Sequence, residues 1–338
     1  MTLSICIATF NRANYLQKTL NSILKNNLIY EFSNFEIVIV DGGSNDITER
    51  VVNDYINLGL KISYIKLDVK GGIDKDFDLA VKHSKNKYCW LLPDDDLISE
   101  DAISYIYNKL NESNPDVLIA NSNCWSTDYC NKLNNKNINI DADILISNNN
   151  FHDILFDTTK GYTSYIGCFI IKRELWNQAN TSLYYGSRFI HIGVLSTLLK
   201  NSKILISSKP IIYIRLGNAE WTNISFNIWF HLWPSILSLF DFQSKKLKKE
   251  ICLKSKKSIF SLFLYHRALG TFNYRTYKEN IHLSENIYTK IFGFITLLMP
   301  SYFIRKIYFI KYITTNNQVG IFNITTGRLS KNSWKSIT

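Results

Sequence analysis

The chain has 338 residues, 46% hydrophobic and 20% charged, the balance of an ordinary globular protein with room for one large domain and a smaller appendage. Its six cysteines include no C-x-x-C pair and no metal-ligand spacing, so nothing in their pattern points to a cysteine-based metal site. The net charge of +11 belongs to one end, because from Asp241 onward 17 Lys or Arg face four acids, whereas residues 1–240 carry 22 bases and 24 acids.

Taken in order, Leu3–Thr9 (LSICIAT) is a β-branched apolar run that predicts a buried strand. Helical spacing follows over Asn11–Lys25 through Tyr15, Leu16, Leu20, Ile23 and Leu24. Phe35–Val40 is a second strand ending at Asp41-Gly42-Gly43-Ser44, with Ser44 or Asn45 available to cap a helix over 46–58. Ile62–Leu67 predicts a third strand, Phe77–Ser84 a helix, and Tyr88–Leu92 a fourth strand. That strand runs through Pro93 into Asp94, Asp95 and Asp96, ahead of a helix beginning near Ser99. Three adjacent carboxylates repel one another and resist burial, so they call for a cation; Mg²⁺ or Mn²⁺ suits their hard oxygens, the alternative being a solvated loop and helix cap.

Strand–helix alternation over the first hundred residues predicts an α/β fold with a parallel sheet covered on both faces. Ligands of such sheets bind beyond the carboxyl ends of the strands, where Asn11, Asp41, Asp68 and the triplet all fall. Residues 112–215 read as mixed strand and loop. They include an Asn-rich surface excursion at 131–150, a strand over Gly161–Ile171 and a short helix opened by Arg173. From Ile224 the pattern is helical and aromatic, and no internal repeat is present.

The order of four motifs resembles family 2 glycosyltransferases of the GT-A fold. They are Ser4–Arg12 (SICIATFNR), Glu36–Asp46 (EIVIVDGGSND), Gly71–Asp76 (GGIDKD) and the acidic triplet. The resemblance implies a Rossmann-like, mostly parallel sheet in a nucleotide-sugar domain over 1–220, with a helical, basic and aromatic region over 221–338. Thr9, Asn11, Arg12, Asp41 and Asp68 are then expected at the nucleotide. Gly72, Asp74, Lys75 and Asp76 are expected near the diphosphate, the two acids having helix capping as their plainer role. Asp95 and Asp96 align with the last acids of the family motif while Pro93 replaces its first. Asp94 and Asp96 form a D-x-D by themselves and are the expected ligands of Mg²⁺ or Mn²⁺, with Asp95 as a substrate contact.

Family members place an acidic pair behind the acceptor pocket as general base. The matching stretch here, Tyr185–Gly193, offers only Arg188 and His191. His191, or a carboxylate elsewhere such as Asp157 or Glu220, serves as base, or else transfer retains configuration and needs no strong base. Retention is the preferred expectation. Three segments look like the abequosyltransferase-like subgroup: Gly71–Asp74, Tyr88–Pro93 before the triplet, and Ile214–Trp221 (IRLGNAEW). That likeness implies a CDP-linked 3,6-dideoxyhexose donor and a lipid-linked O-antigen acceptor, with Arg215 and Glu220 touching acceptor or diphosphate, or pairing with each other. The alternatives are an inverting transferase using a UDP- or GDP-sugar and a non-catalytic nucleotide-sugar-binding module.

At the basic end, Ile291–Ile304 is apolar but about fourteen residues long and broken by Pro300, short of the ~20 a span needs. Seven lysines between Lys245 and Lys257, with Arg305, Lys306 and Lys311, predict contact with an anionic membrane surface, or a solvated face of a packed helical subdomain. A nucleic-acid-binding reading lacks any motif and leaves the triplet unexplained. With no signal peptide ahead of Leu3, the expected place is the cytoplasm, peripheral on the inner face of the bacterial cytoplasmic membrane.

Overall fold

In the computed structural model, residues 2–30, 35–147, 151–199, 202–252, 255–282, 284 and 286–326 are described, with backbone alone at 27–30, 220 and 326. They form two units. The first comprises Met1–Asn123, Asn135–Ile214 and Leu239–Gln243; the second comprises Cys124–Asn134, Arg215–Ser238 and Ser244–Thr338. The expected division at 220/221 is thus replaced by a discontinuous one.

The first unit is built on β1 (Leu3–Thr9), buried along its whole length because both faces carry apolar side chains. It pairs in parallel with β2 (Phe35–Asp41) and with β4 (Tyr88–Leu91), and β2 pairs in parallel with β3 (Ile62–Lys66). Helices α1 (Ala13–Tyr30), α2 (Thr48–Asn57) and α3 (Ile73–His83) make the crossovers. Beyond β4 the pairing changes sense. The sheet runs β3-β2-β1-β4-β8-β6-β9-β5, with β5 (Leu97–Ile98), β6 (Val117–Trp125), β8 (Phe169–Lys172) and β9 (Ile204–Arg215), and β7 (Ile144–Ile146) pairs with β9. The β4/β8, β6/β8, β5/β9 and β7/β9 pairs are antiparallel, as expected of a stretch without regular helical crossovers.

Helix α4 (Ala102–Ser113) has no cap of its own; the buried Asn26 of α1 accepts from Ile103 N at 3.1 Å and donates to Ser99 O at 2.9 Å. Helices α5 (Phe151–Thr159), α6 (Arg173–Gln178) and α7 (Ile190–Ser196) complete this unit. The strand expected over Gly161–Ile171 is instead two 3₁₀ turns, at Tyr162–Ser164 and Ile166–Cys168, before β8. Gly167 explains the departure: a Cβ there would lie 2.2 Å from the Tyr165 hydroxyl, and its carbonyl accepts from Trp90 Nε1 at 2.8 Å.

The second unit is helical: α8 (Ser225–Asn227), α9 (Trp233–Leu237), α10 (Lys245–Ile251), α11 (Lys256–Leu269), α12 (Tyr274–Asn280), α13 (Ile287–Leu298), α14 (Ser301–Thr314) and α15 (Gln318–Thr326). Its core gathers Phe226, Phe263, Phe272 and Ile281, with the Phe263 and Phe272 rings stacked at 5.0 Å. Trp233 of the same unit is also buried, while Trp221 is exposed.

Candidate active site

Strand register assembles one corner. Cys6 of β1 faces Leu91 of β4, so three residues further on Thr9 meets Asp94, and the Thr9 hydroxyl donates to Asp94 Oδ2 at 2.7 Å. Arg12, in the turn before α1, places Nε 3.1 Å from Asp94 Oδ1 and pairs through Nη2 with Asp95 Oδ2. The Thr19 hydroxyl lies 2.9 Å and 2.8 Å from the carbonyls of Asp94 and Asp96, pinning the triplet backbone to α1. Asp96 accepts from the Tyr165 hydroxyl at 2.5 Å. Burial, then the Asp96 charge, drives the Tyr165 phenol far above its ordinary range, so it stays protonated as donor.

Three carboxylates against one guanidinium leave the corner with excess negative charge, and their oxygens are hard donors. The set therefore fits a divalent cation that completes its shell with substrate phosphate. Among the described residues no group of three or more His, Cys, Asp or Glu side chains forms a ready metal cage. Asp94 is engaged on both oxygens and Asp96 is 2% exposed. Asp95, its side chain 18% exposed against 8% for Asp94, is the carboxylate that solvent reaches most readily.

Beside this corner, the β2 turn is closed by Asp41. Asp41 Oδ1 accepts from Ser44 N at 2.8 Å and Ser44 Oγ at 2.6 Å, and Oδ2 accepts from Tyr64 Oη at 2.5 Å. Asp41 is fully buried, so as placed it shapes the turn and orients Tyr64 instead of facing solvent. Gly43 sits at φ +84°, where a Cβ would come 2.7 Å from Leu67 O, so glycine is required. Asn11, also left-handed at φ 53°, donates from its backbone to Ser44 Oγ at 2.7 Å and accepts from Asn45 N at 2.9 Å. The cap expected from Ser44 or Asn45 is supplied by Asp46, which accepts from Thr48 N at 3.0 Å and Ala13 N at 3.1 Å and so holds the starts of both α1 and α2. Asp68 is exposed at the end of β3.

Helix α3 begins four residues earlier than expected, which puts the Gly72–Asp76 motif in its first turn with Gly72 at φ +95°. Neither acid caps the helix. Asp74 instead reaches across to the loop before α7, accepting from Gly186 N and Arg188 N at 2.9 Å and from Ile190 N at 3.2 Å. Its role is to hold that loop, where Arg188 is exposed at φ 64°. Lys75 is exposed with its ammonium 5.6 Å from the Tyr185 ring. A second cation, Lys70, lies 4.3 Å from the Phe10 ring and packs against Gly42. Lys70, Thr19, Tyr64 and Tyr165 were not foreseen. Only Thr19, a polar residue on the apolar stripe of α1, left a sequence signal.

Asp76 is buried, with Oδ1 unpartnered, and burial pushes it up to about 6 against the opposing pull of Lys70 and the Gly71 and Gly72 amides. A raised carboxylate favours the protonated fold. Its stabilising contribution is full below the ordinary value near 3.8 and is lost as pH climbs through about 6. Asp76→Asn should therefore gain on wild type between pH 4.5 and 7.5, by up to about 3 kcal/mol in urea unfolding. Equal pH profiles for the two proteins would disprove this.

The expected bases are placed elsewhere. His191 is fully buried, Nε2 2.9 Å from Thr163 O, and burial lowers it to about 4; it is a neutral core residue without access to an acceptor. Asp157 is exposed on α5 and paired to Lys160 at 2.6 Å. Arg215 belongs to the second unit, where it donates to Thr127 O at 3.0 Å and lies over the Tyr129 ring. The Glu220 side chain lies outside the described residues.

The sequence profile of glycosyl transferase family 2 matches residues 4–179, more than half of the chain. The chain is a family 2 glycosyltransferase. The transferase is 27% identical to abequosyltransferase RfbV of Salmonella typhimurium over 228 residues, 64% of this chain and 68% of that one. It is 30% identical to the poly(ribitol-phosphate) β-N-acetylglucosaminyltransferase TarS of Staphylococcus aureus over 120 residues, 35% of this chain and 20% of that one. In fold it is similar to S. aureus TarS 1–349 in complex with UDP, with a TM-score of 0.58 at 16% identity over 99% of this chain and 92% of that one. It is also similar to the mannosyltransferase PcManGT of Pyrobaculum calidifontis with GDP-Man and Mn²⁺, at 0.53, 13% identity and 98% and 87% coverage. The GT-A architecture expected from the motifs is thereby shown.

Proposed function

We propose that this transferase moves a 3,6-dideoxyhexose, abequose in the first instance, from a CDP-sugar to a lipid-linked O-antigen oligosaccharide at the inner face of the bacterial cytoplasmic membrane. The single observation that carries the reading is the corner where Thr9, Arg12, Asp94, Asp95 and Asp96 converge at the carboxyl ends of β1 and β4. The relationship to the Salmonella abequosyltransferase supports the choice of sugar.

Transfer breaks the anomeric C–O bond and leaves new negative charge on the nucleoside diphosphate. Lys70 and Lys75 offer cations to that charge as it develops. Asp95 with Asp96 would hold Mg²⁺ or Mn²⁺, which supplies further charge stabilisation when bound. Thr9, Asn11 and Asp68 border the nucleoside, with Asp41 positioning Tyr64. No carboxylate in Tyr185–Gly193 is available as base, and Asp74, the acid that reaches this loop, is spent on its backbone. That supports retention of configuration.

Thermal-shift screening of CDP, UDP and GDP, each with and without Mn²⁺, tests the assignment. CDP with Mn²⁺ should give the largest rise, about 1.4 kcal/mol for each tenfold excess over Kd. A UDP or GDP preference would overturn the CDP-sugar reading.

A further inference from the structure

Helices α13 and α14 meet at Met299–Pro300 with a bend of 95°, and α11 packs against both. The bend is locked from the core side. Arg267 of α11 donates to Leu297 O and Met299 O, each at 3.1 Å, satisfying carbonyls that the end of α13 leaves without helical partners. Arg305 of α14, itself buried, donates to Ala268 O at 2.9 Å. At 12 and 14 residues the helices are about 18 and 21 Å long, and among the described residues no single helix is long and apolar enough to cross a membrane.

The face opposite the core is apolar and uncovered. On α13, Ile287, Ile291, Phe294, Ile295 and Leu298 recur at helical spacing, with Leu298 69% exposed, while Thr289, Gly293 and Thr296 point inward. On α14 the exposed stripe contains Phe303, Ile307 and Ile310, with Lys306 among them to snorkel. So large an exposed apolar face marks a binding surface.

A second observation names the occupant. The other side of α14 presents Tyr308 and Tyr312 to an open cleft of about 970 Å³, lined also by Lys245, Lys246, Lys249 and Lys257. Ser255, Ser258 and Ser261, at the cap and in the first half of α11, Tyr265 and one acid, Glu250, complete its polar lining, so four ammonium groups and the positive end of that helix stand against a single carboxylate. An apolar stripe on α14 and, on its other side, a cleft whose lysines come from α10 and α11 match the two layers of a leaflet edge, acyl chains beside phosphate headgroups.

We propose that the α13–α14 elbow seats the second unit in the interface of an anionic phospholipid bilayer, the stripe entering the acyl boundary and the lysine cleft taking headgroup phosphates. The inference deepens the proposed function in one respect, how the chain meets the membrane of its acceptor. Because the test vesicles contain neither donor nor acceptor, its failure and that of the transferase reading are distinguishable.

The experiment is flotation of the full chain, at physiological salt, on phosphatidylcholine vesicles with and without phosphatidylglycerol. Wild type should float with the anionic vesicles and far less with the neutral ones. The triple variant Phe303→Ser, Ile307→Ser, Ile310→Ser changes exposed positions only and should bind about a hundredfold less. The variant Lys245→Gln, Lys246→Gln, Lys249→Gln should lose about fivefold per lysine on anionic vesicles alone. Circular dichroism melts check that both variants fold. The proposal fails if wild type does not float on anionic vesicles or if the serine variant floats as well as wild type. It also fails if inorganic pyrophosphate binds the lysine cleft while anionic vesicles do not.

Discussion

Asp95→Asn should lower donor turnover about 10²–10³-fold, the scale of losing one group that stabilises charge in the transition state, while leaving stability within about 0.5 kcal/mol. The physical case is positional. Asp95 is the most solvent-open carboxylate of the triplet and its partner is Arg12, whose guanidinium also contacts Asp94, so an amide oxygen can replace the lost contact without leaving a buried charge alone. Asp96→Asn should lose activity to a similar degree but also lower the melting temperature. Its carboxylate is the buried acceptor of the Tyr165 hydroxyl, and a neutral acceptor weakens a charge-assisted bond. Hydrolysis of a CDP-sugar in Mn²⁺, read beside circular dichroism melts, separates the two. If Asp95→Asn turns over within tenfold of wild type, the corner is a structural cluster and not the place where leaving-group charge is met.

What could be read from residues alone was local. β1, β2 and β4 were legible because a strand buried on both faces is a continuous apolar run, and such a run ending in acids marks the strand end that ligands approach. The occupants of that end were legible for the same reason: Thr9, Asn11 and the triplet follow directly from their strands. Partnership was not legible. Tyr165 reaches Asp96 across 69 residues, and Asp74 reaches the Gly186–Ile190 loop across more than 110. Spacing in the chain carries no trace of contacts made by folding around a sheet. Gly167 misled in another way. In an apolar stretch it reads as a weak point in a strand, whereas here it lets the Tyr165 ring and Pro93 approach the backbone, which breaks the strand into turns. Residues 220/221 looked like a boundary because the pattern turns helical and aromatic soon after, from Ile224, yet Cys124–Asn134 belongs with the later helices and Leu239–Gln243 with the sheet.

The loop without an acid gives the second large expectation, on stability. Asp74→Ala removes the acceptor of three backbone N–H groups, those of Gly186, Arg188 and Ile190, around a carboxylate that is itself buried. Charge-assisted bonds to backbone contribute about 1.5–3 kcal/mol each, and orphaned donors cost a similar amount to bury. Against this, Asp74 resists ionisation: burial raises it despite the three amides, so part of the gain offsets desolvation. The net loss expected for alanine is about 3–5 kcal/mol in urea unfolding at neutral pH. Asparagine should lose less, about 1–2 kcal/mol, because its carbonyl oxygen can still serve the Gly186 and Arg188 amides that share Oδ2. The order alanine worse than asparagine is the informative result. Arg188 and Gly186 are both held at positive φ, a conformation that relaxes once the acceptor is gone. The loop and its exposed Arg188 should then move, raising KM for donor or acceptor in the asparagine variant more than it lowers kcat. An alanine variant as stable as wild type would show that the loop holds itself, and that Asp74 is poised for some use other than anchoring it.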